Sequence, residues 1–333
     1  MRHMLVDDYI SELRNVKRYS ERTVDIYSTV LRDYVSFVSE RSESFDDEEL
    51  VDSLNPSEIR EYEMRMLDSD PPMSSRTVSL HMSALSGFCR YLMKKGKFKS
   101  NPVKLVTKPK VSKDIPHFFR KESLDDYFSR TEHFLDDDEL SGFIREWDTE
   151  TGKGYYESLL SRLIISTLYS LGLRRSELIA MKISDVDFGR KVVKVRGKGN
   201  KMREIPLVVS LSEEILLYLK AVEAMCGGKR SLNQPLFVTY KGSAMYPAYV
   251  DRAVKSELKD FDGFNGRKSP HVLRHSLATE LLNQEADLYS IKEVLGHSSL
   301  AATQVYTHSS IARLKDIYEQ AHPRAKNGGK HGD

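Results

Sequence analysis

Six side chains in the second half of the chain have the chemical types needed to handle a phosphodiester. They are Arg174 in LGLRRSEL, Lys198 in VRGKGNKMR, His271 and Arg274 in HVLRH, and His297 and Tyr306 in LGHSSLAATQVYTH. Fixed arginines and histidines can bind the non-bridging oxygens of a phosphate and favour its more highly charged pentacovalent transition state. A phenol has a pKa near ~10, so a nucleophilic tyrosine needs a base or a positive field. A mobile lysine can give the departing 5′ oxygen its proton.

Each motif taken alone also has an ordinary structural explanation. His271 and Arg274 stand three residues apart and suit a surface salt-bridge pair as well as a phosphate. Lys198 lies in a glycine-flanked turn that any basic hairpin could carry, and Tyr306 on its own would be half-buried packing. Taken together, the set matches what metal-free phosphodiester transfer by a tyrosine requires.

Other routes to phosphate chemistry find no support in the sequence. It contains no carboxylate cluster or Cys/His set with metal-ligand spacing, and no GxxxxGK[ST] loop. Cys89 and Cys226 stand far apart, which favours two free thiols in a reducing cytoplasm. We therefore expect no metal and no cofactor.

The elements that must position these residues are mostly helices. Glycine after one helix places Arg174 just before a helix capped by Ser176, where Glu177 can hold the arginine. The runs 191–195 and 202–207 predict a β-hairpin around the turn 197–200. Periodicity and caps predict helices at 121–130, 155–171, 176–181, 211–226, 246–259, 270–284 and 288–295.

The N-terminal part of the chain predicts helices only. Apolar spacing indicates helices around 6–16, after Ser20, after the cap Asn55 and after Ser74 or Ser75. The fold class is thus mainly α with a small antiparallel sheet, arranged as two domains. We expect a helical domain at 1–100, a basic linker at 101–116, a domain that carries the six candidate residues at 117–325 and a disordered tail at 326–333.

Composition and charge set further bounds. The 333 residues are 40% hydrophobic and 30% charged with a net charge of +2, so overall charge does not predict a polyanionic partner. Eight lysines and no acid lie within 93–113, however, and 122–150 is strongly acidic. The basic run is either a solvated linker or a surface that meets the DNA backbone, with Lys108, Lys110 and Lys113 as candidate contacts. No apolar run is long enough to span a bilayer, and the N-terminus does not read as a signal peptide, so we expect a cytoplasmic protein.

These motifs resemble those of the tyrosine site-specific recombinases, and more narrowly the Xer group that resolves chromosome dimers. The matching stretches are LYSLGLRRSELIAM, VRGKGNKMREIPL, HVLRHSLATELL and LGHSSLAATQVYTH, in the family's order and at its intervals. The segment from SSRTVSL to VTKPK resembles the end of the family's core-binding (SAM-like) domain and its linker, and YEQAHPRA resembles the Xer C-terminus.

The resemblance implies a role for each candidate residue. Tyr306 would attack the scissile phosphate and form a 3′-phosphotyrosyl link without ATP. Arg174 and Arg274 would clamp the phosphate, while His271 and His297 would hydrogen-bond it, with His271 also able to accept the tyrosine proton. Lys198 would protonate the leaving 5′ oxygen, and Glu177 would support the site.

The resemblance also implies partners: double-stranded DNA with a specific recombination site, a homo- or hetero-tetramer acting through a Holliday junction, a paralogous recombinase and a septal DNA translocase.

An integrase or excisionase of a phage or conjugative element is the alternative within the family. The N-terminal helices begin almost at residue 1 and the chain closes soon after HPRA, which favours the Xer group. A DNA-binding protein that has lost catalysis is disfavoured because every catalytic position carries a competent residue. The HPRA end and the N-terminal helices disfavour a type IB-like topoisomerase.

Overall fold

A computed structural model describes residues 4–40, 45–107, 109, 117–131, 145, 148–197, 200–296, 315–319, 322 and 324. Its contacts divide the chain into two compact units, Met1–Asp114 and Ile115–Asp333. The acidic stretch at 132–144 lies outside the described residues, as do Lys108, Lys110, Lys113, Lys198, His297, Tyr306 and the tail at 326–333.

The first unit is helical, and its helices begin where the sequence provides caps. The side chains of Ser20, Asn55 and Ser74 each accept a backbone N–H of the first turn that follows them, as predicted. A short helix capped by Asp46, which the apolar periodicity did not reveal, adds to the unit. The helices are α1 (Met4–Ser11, continued by a wide turn over Glu12–Val16), α2 (Glu21–Ser39), α3 (Asp47–Ser53), α4 (Pro56–Leu67) and α5 (Ser75–Lys94).

The start of the basic run packs onto this first unit. Asn101 donates its side-chain amide to Ser86 O and Ser86 Oγ at 3.0 and 2.9 Å. It also caps a 3₁₀ turn, Pro102–Leu105, whose Val103 is buried in the helical core together with Val106. The polypeptide is therefore fixed to α5 as far as Val106.

The second unit is built around one helix that is buried on nearly every side. This helix, α7 (Glu150–Ser170), starts five residues earlier than its apolar pattern predicts because Thr149 caps it. Helices α9 (Val209–Cys226), α10 (Pro247–Glu257) and α11 (Pro270–Asn283) pack against it. The remaining helices are α6 (Lys121–Arg130), α8 (Arg175–Ala180) and α12 (Leu288–Leu295), and residues 315–319 are helical as well.

A three-stranded antiparallel sheet lies beside these helices, with the order β1 (Val186–Asp187), β2 (Val192–Arg196) and β3 (Met202–Pro206). The register pairs Val193 with Ile205 and Val195 with Arg203. The predicted hairpin is confirmed. Gly197 N donates to Lys201 O at 2.8 Å where the two strands enter the turn. The two-residue β1 is an addition to the prediction.

Candidate active site

Arg174 stands at the N-terminus of α8, where its backbone and side chain are both fixed by Glu177. Its backbone N–H donates to Glu177 Oε2 at 2.9 Å, and its Nη1 donates to Glu177 Oε1 at 2.7 Å. The residue that caps α8 is therefore Arg174, and the expected cap at Ser176 is wrong: Ser176 lies within the helix. The arginine side chain is 34% exposed, so it is held by Glu177 and can still be reached from solvent.

Glu177 is buried, with a side chain only 3% exposed, and it serves two arginines. Arg203 binds it with both ends of its guanidinium, at 3.1 Å to Oε1 and 2.8 Å to Oε2. Burial opposes ionisation, but the hydrogen bonds and charges of Arg203 and Arg174 outweigh it, so the pKa of Glu177 lies below its usual value. The carboxylate stays charged and holds both arginines in place.

Arg274, on α11, is the second phosphate-clamp candidate and is 4% exposed. Its Nη1 donates to the carbonyl of Gly172 and its Nη2 to the carbonyl of Leu295. Burial, followed by the positive charge of Arg174, lowers the pKa of Arg274 to about 10. The group still carries its full charge at neutral pH, and its repulsion from Arg174 is relieved when an anion binds between them.

The C-terminus of α12 brings these arginines to one place. Three consecutive carbonyls accept from three guanidiniums: Val294 from Arg203, Leu295 from Arg274 and Gly296 from Arg174. A helix C-terminus carries a partial negative charge and unpaired carbonyls, both of which favour arginine. The next residue along the chain is His297.

His271 lies one turn before Arg274 on α11, near the start of the helix, and is exposed. Partial desolvation of its ring, followed by the charges of His275, Arg274 and Arg174, lowers its pKa. The ring is therefore neutral at pH 7 and can accept a hydrogen bond or a proton. The ring of His275, one turn further on, has its centroid 5.4 Å away.

The structure thus brings four of the sequence-predicted residues to one site, Arg174, Glu177, His271 and Arg274. Lys198, His297 and Tyr306 lie outside the described residues, so their roles remain predictions. Sequence reasoning missed Arg203, although β3 offered a signal. Side chains alternate along a strand, so burying Ile205 also turns Arg203 inward.

This arrangement is suited to binding a multiply charged phosphate. The site holds three guanidiniums and one carboxylate, an excess of two positive charges; Glu177 binds Arg174 and Arg203, while Arg274 is held by backbone carbonyls. Guanidiniums whose forks are already oriented stabilise developing charge without reorganising.

Within the described part of the chain, no group of three or more His, Cys, Asp or Glu is arranged to hold a metal ion. No helix among the same residues is long and apolar enough to cross a membrane.

A mainly helical fold in which Arg174 and Arg274 meet at the C-terminus of α12 is suited to a domain that handles phosphate. Family comparison makes this specific, because residues 133–313 match the phage integrase family and residues 6–96 match the phage integrase N-terminal SAM-like domain. The chain belongs to the phage integrase family, the tyrosine recombinases that break and rejoin DNA.

Curated relatives match almost the whole chain. Tyrosine recombinase XerC of Chlorobaculum parvum is 33% identical over 326 residues, covering 96% of this chain and 94% of that protein. Tyrosine recombinase XerD of Listeria innocua is 30% identical over 321 residues, covering 96% and 99%. Among solved structures, the XerH site-specific recombinase bound to its palindromic difH substrate matches with a TM-score of 0.61 at 20% identity, covering 94% and 83%. That structural likeness supports the fold.

Proposed function

We propose that the protein is an Xer-type site-specific recombinase that resolves chromosome dimers through a 3′-phosphotyrosyl intermediate and a Holliday junction. The observation that carries the proposal is the convergence of Arg174 and Arg274, distant in sequence, on the carbonyls of Gly296 and Leu295. The near full-length similarity to proteins named XerC and XerD supports the Xer assignment.

In the proposed cleavage step, the Tyr306 oxygen attacks the scissile phosphorus, and the bond from phosphorus to the 5′ oxygen breaks. The phenol proton passes to His271, whose lowered pKa keeps it neutral and able to accept. Lys198 donates the proton that the departing 5′ oxygen needs. Arg174, Arg274 and His297 bind the non-bridging oxygens as charge builds on them.

Rejoining reverses these transfers with a new partner strand. A 5′ hydroxyl from the second DNA attacks the phosphotyrosyl phosphorus, gives up its proton to Lys198 and releases Tyr306. The covalent link conserves the energy of the phosphodiester, so the exchange needs neither ATP nor a metal. Four protomers on two sites would perform sequential strand exchanges, alone or with a paralogous recombinase, and a septal DNA translocase would activate the recombinase.

The two units have separate tasks in this proposal. Residues 1–100 form the helical core-binding domain, 101–116 the basic linker and 117–325 the catalytic domain. Lys108, Lys110 and Lys113 contact the DNA backbone, which fixes register without reading sequence. Neutralising all three should weaken DNA binding and flatten its salt dependence, leaving site preference unchanged.

The test is covalent trapping on a nicked suicide duplex that carries the host's candidate chromosomal site. Wild-type protein should form an adduct that survives denaturing electrophoresis, and Tyr306→Phe should form none. An adduct at normal yield with Tyr306→Phe would overturn the nucleophile assignment. Recombination only between attachment sites of a mobile element, with none at the chromosomal site, would replace the Xer role by that of an integrase.

A further inference from the structure

One buried arginine in the site has no role in the proposed chemistry. Arg203 lies on β3 and is 5% exposed, so its charge is almost wholly withdrawn from water. Burying a charge in this way is costly unless it is paired and hydrogen-bonded. Its surroundings satisfy that condition on two sides, because it binds both oxygens of Glu177 and the carbonyl of Val294.

The two sides that Arg203 joins are parts of the candidate site. Glu177 orients Arg174 through the contacts of its carboxylate with the arginine backbone and side chain. Val294 is the first of the three α12 carbonyls that bind the arginines, and the chain continues from there to His297 and Tyr306. Arg203 therefore links Glu177, which holds Arg174, to the C-terminus of α12, after which the sequence continues to the proposed nucleophile.

The hairpin is the third element that meets this pair. Gly197 precedes Lys198, and a Cβ built on Gly197 would lie 3.5 Å from Arg203 Nη1 and 3.6 Å from Glu177 Oε1. The strand residue Arg203 itself pairs with Val195 across the hairpin. The end of β2 that leads into the hairpin turn thus lies close to the Arg203–Glu177 ion pair, and Glu177 in turn fixes Arg174.

We propose that Arg203 is a positioning residue: it joins Glu177, the α12 C-terminus and the strand end that enters the hairpin turn, so that Arg174 and Arg274 keep one geometry. The inference rests on the proposed function, since it assigns Arg203 to that reaction. It does not require Arg203 to touch the DNA, because Arg203 acts through Glu177 and Val294.

The test replaces Arg203 by lysine, which keeps the charge but cannot reach both carboxylate oxygens and a carbonyl together. We expect the single-turnover cleavage rate at saturating suicide substrate to fall by about a hundredfold, as for a displacement of roughly 1 Å at the reacting groups. The Kd for DNA should stay within about twofold, since the phosphate-facing arginines remain.

The matched control is Arg162→Lys. Arg162 is equally buried in the same unit and donates to Glu214 and to the carbonyl of Phe128, a set of contacts separate from those of the site. It should lose similar stability in urea while cleaving at close to the wild-type rate. If Arg203→Lys and Arg162→Lys slow cleavage equally, or if Arg203→Lys cleaves normally, the positioning role is refuted.

A second variant covers the case in which Arg203→Lys does not fold. Arg203→Gln removes the buried charge and keeps a hydrogen-bond donor for Glu177, whose carboxylate still has Arg174 as its charged partner. It should also cleave about a hundredfold more slowly, and wild-type cleavage by it would refute the role. Failure of wild-type protein to form any adduct would instead refute the proposed function.

Discussion

Gly296 offers a sharp test of whether close packing at the end of α12 sets the rate of DNA cleavage. It ends that helix in the left-handed conformation, with φ of +62°, and its carbonyl accepts from Arg174. A Cβ at this position would lie 3.0 Å from Arg203 Nη1, 3.2 Å from its Cζ and 3.3 Å from its Cδ. Gly296→Ala therefore imposes two separate penalties, backbone strain and displacement of a guanidinium.

The two penalties have different magnitudes and different readouts. The left-handed conformation costs an alanine about 1–2 kcal/mol, and for a unit of this size that lowers Tm by roughly 2–8 °C. The contact requires Arg203 to move by a few tenths of an ångström, which loosens hydrogen bonds that now measure 2.8 Å to Val294 O and 2.8 Å to Glu177 Oε2. By proportion to the roughly hundredfold cost of a 1 Å misplacement, cleavage should slow about three- to tenfold.

Gly227→Ala isolates the strain from the displacement. Gly227 ends α9 with φ of +70°, and a Cβ there would meet nothing within 4 Å. Thermal unfolding and single-turnover cleavage of a suicide duplex should show similar loss of Tm for both variants and slower cleavage for Gly296→Ala alone. Equal cleavage rates for the two variants would refute the reasoning that Arg203 transmits its position to the site.

Two further predictions concern the other arginine of the clamp and the buried C-terminal histidine. Arg274→Lys should slow cleavage by roughly a hundredfold or more, because lysine keeps the charge but loses the planar fork that spans Gly172 O and Leu295 O and orients that charge; single-turnover cleavage at an unchanged rate would contradict the clamp. Burial and the charge of Arg324 lower the pKa of His322 to about 3, so the unfolded chain binds a proton below its ordinary pKa while the folded chain does not. Stability should therefore fall as pH drops from about 6.5 towards 3, by at most ~1.4 kcal/mol per pH unit from this group. His322→Gln should flatten that slope in urea titrations at several pH values, and an unaltered slope would contradict the assignment.

Local signals were enough to predict many of the helices. The predicted helices at 121–130 and 288–295 agree with the structure at both ends, and the caps Ser20 and Asn55 act as expected. Such features depend on residues within one turn of each other, so sequence carries them directly. The same local logic could have found α3, because Asp46 and Glu49 form a capping box.

Features that depend on distant partners could not be predicted in the same way. The two-residue β1 exists only because Val186 and Asp187 pair with β2. Arg174 caps α8 in place of Ser176, and the Glu177 carboxylate that holds its backbone is itself bound by Arg203, 26 residues further along the chain. In the site, residue types singled out Arg174, Glu177, His271 and Arg274 but not Arg203, and only the tertiary structure shows that Arg174, Arg203 and Arg274 meet at one helix end.

The convergence on α12 links stability and chemistry in this unit. Its three terminal carbonyls would cost free energy if they were buried without donors, and the guanidiniums supply those donors. The same contacts fix the positive charges at this helix end, where burial, followed by repulsion from Arg174, lowers the pKa of Arg274. In the proposed function a DNA phosphate would bind between these arginines and would relieve that repulsion. On this reasoning the arginines stabilise the fold most when DNA is bound, and the helix end that they hold is also the point from which the chain leads to the proposed nucleophile.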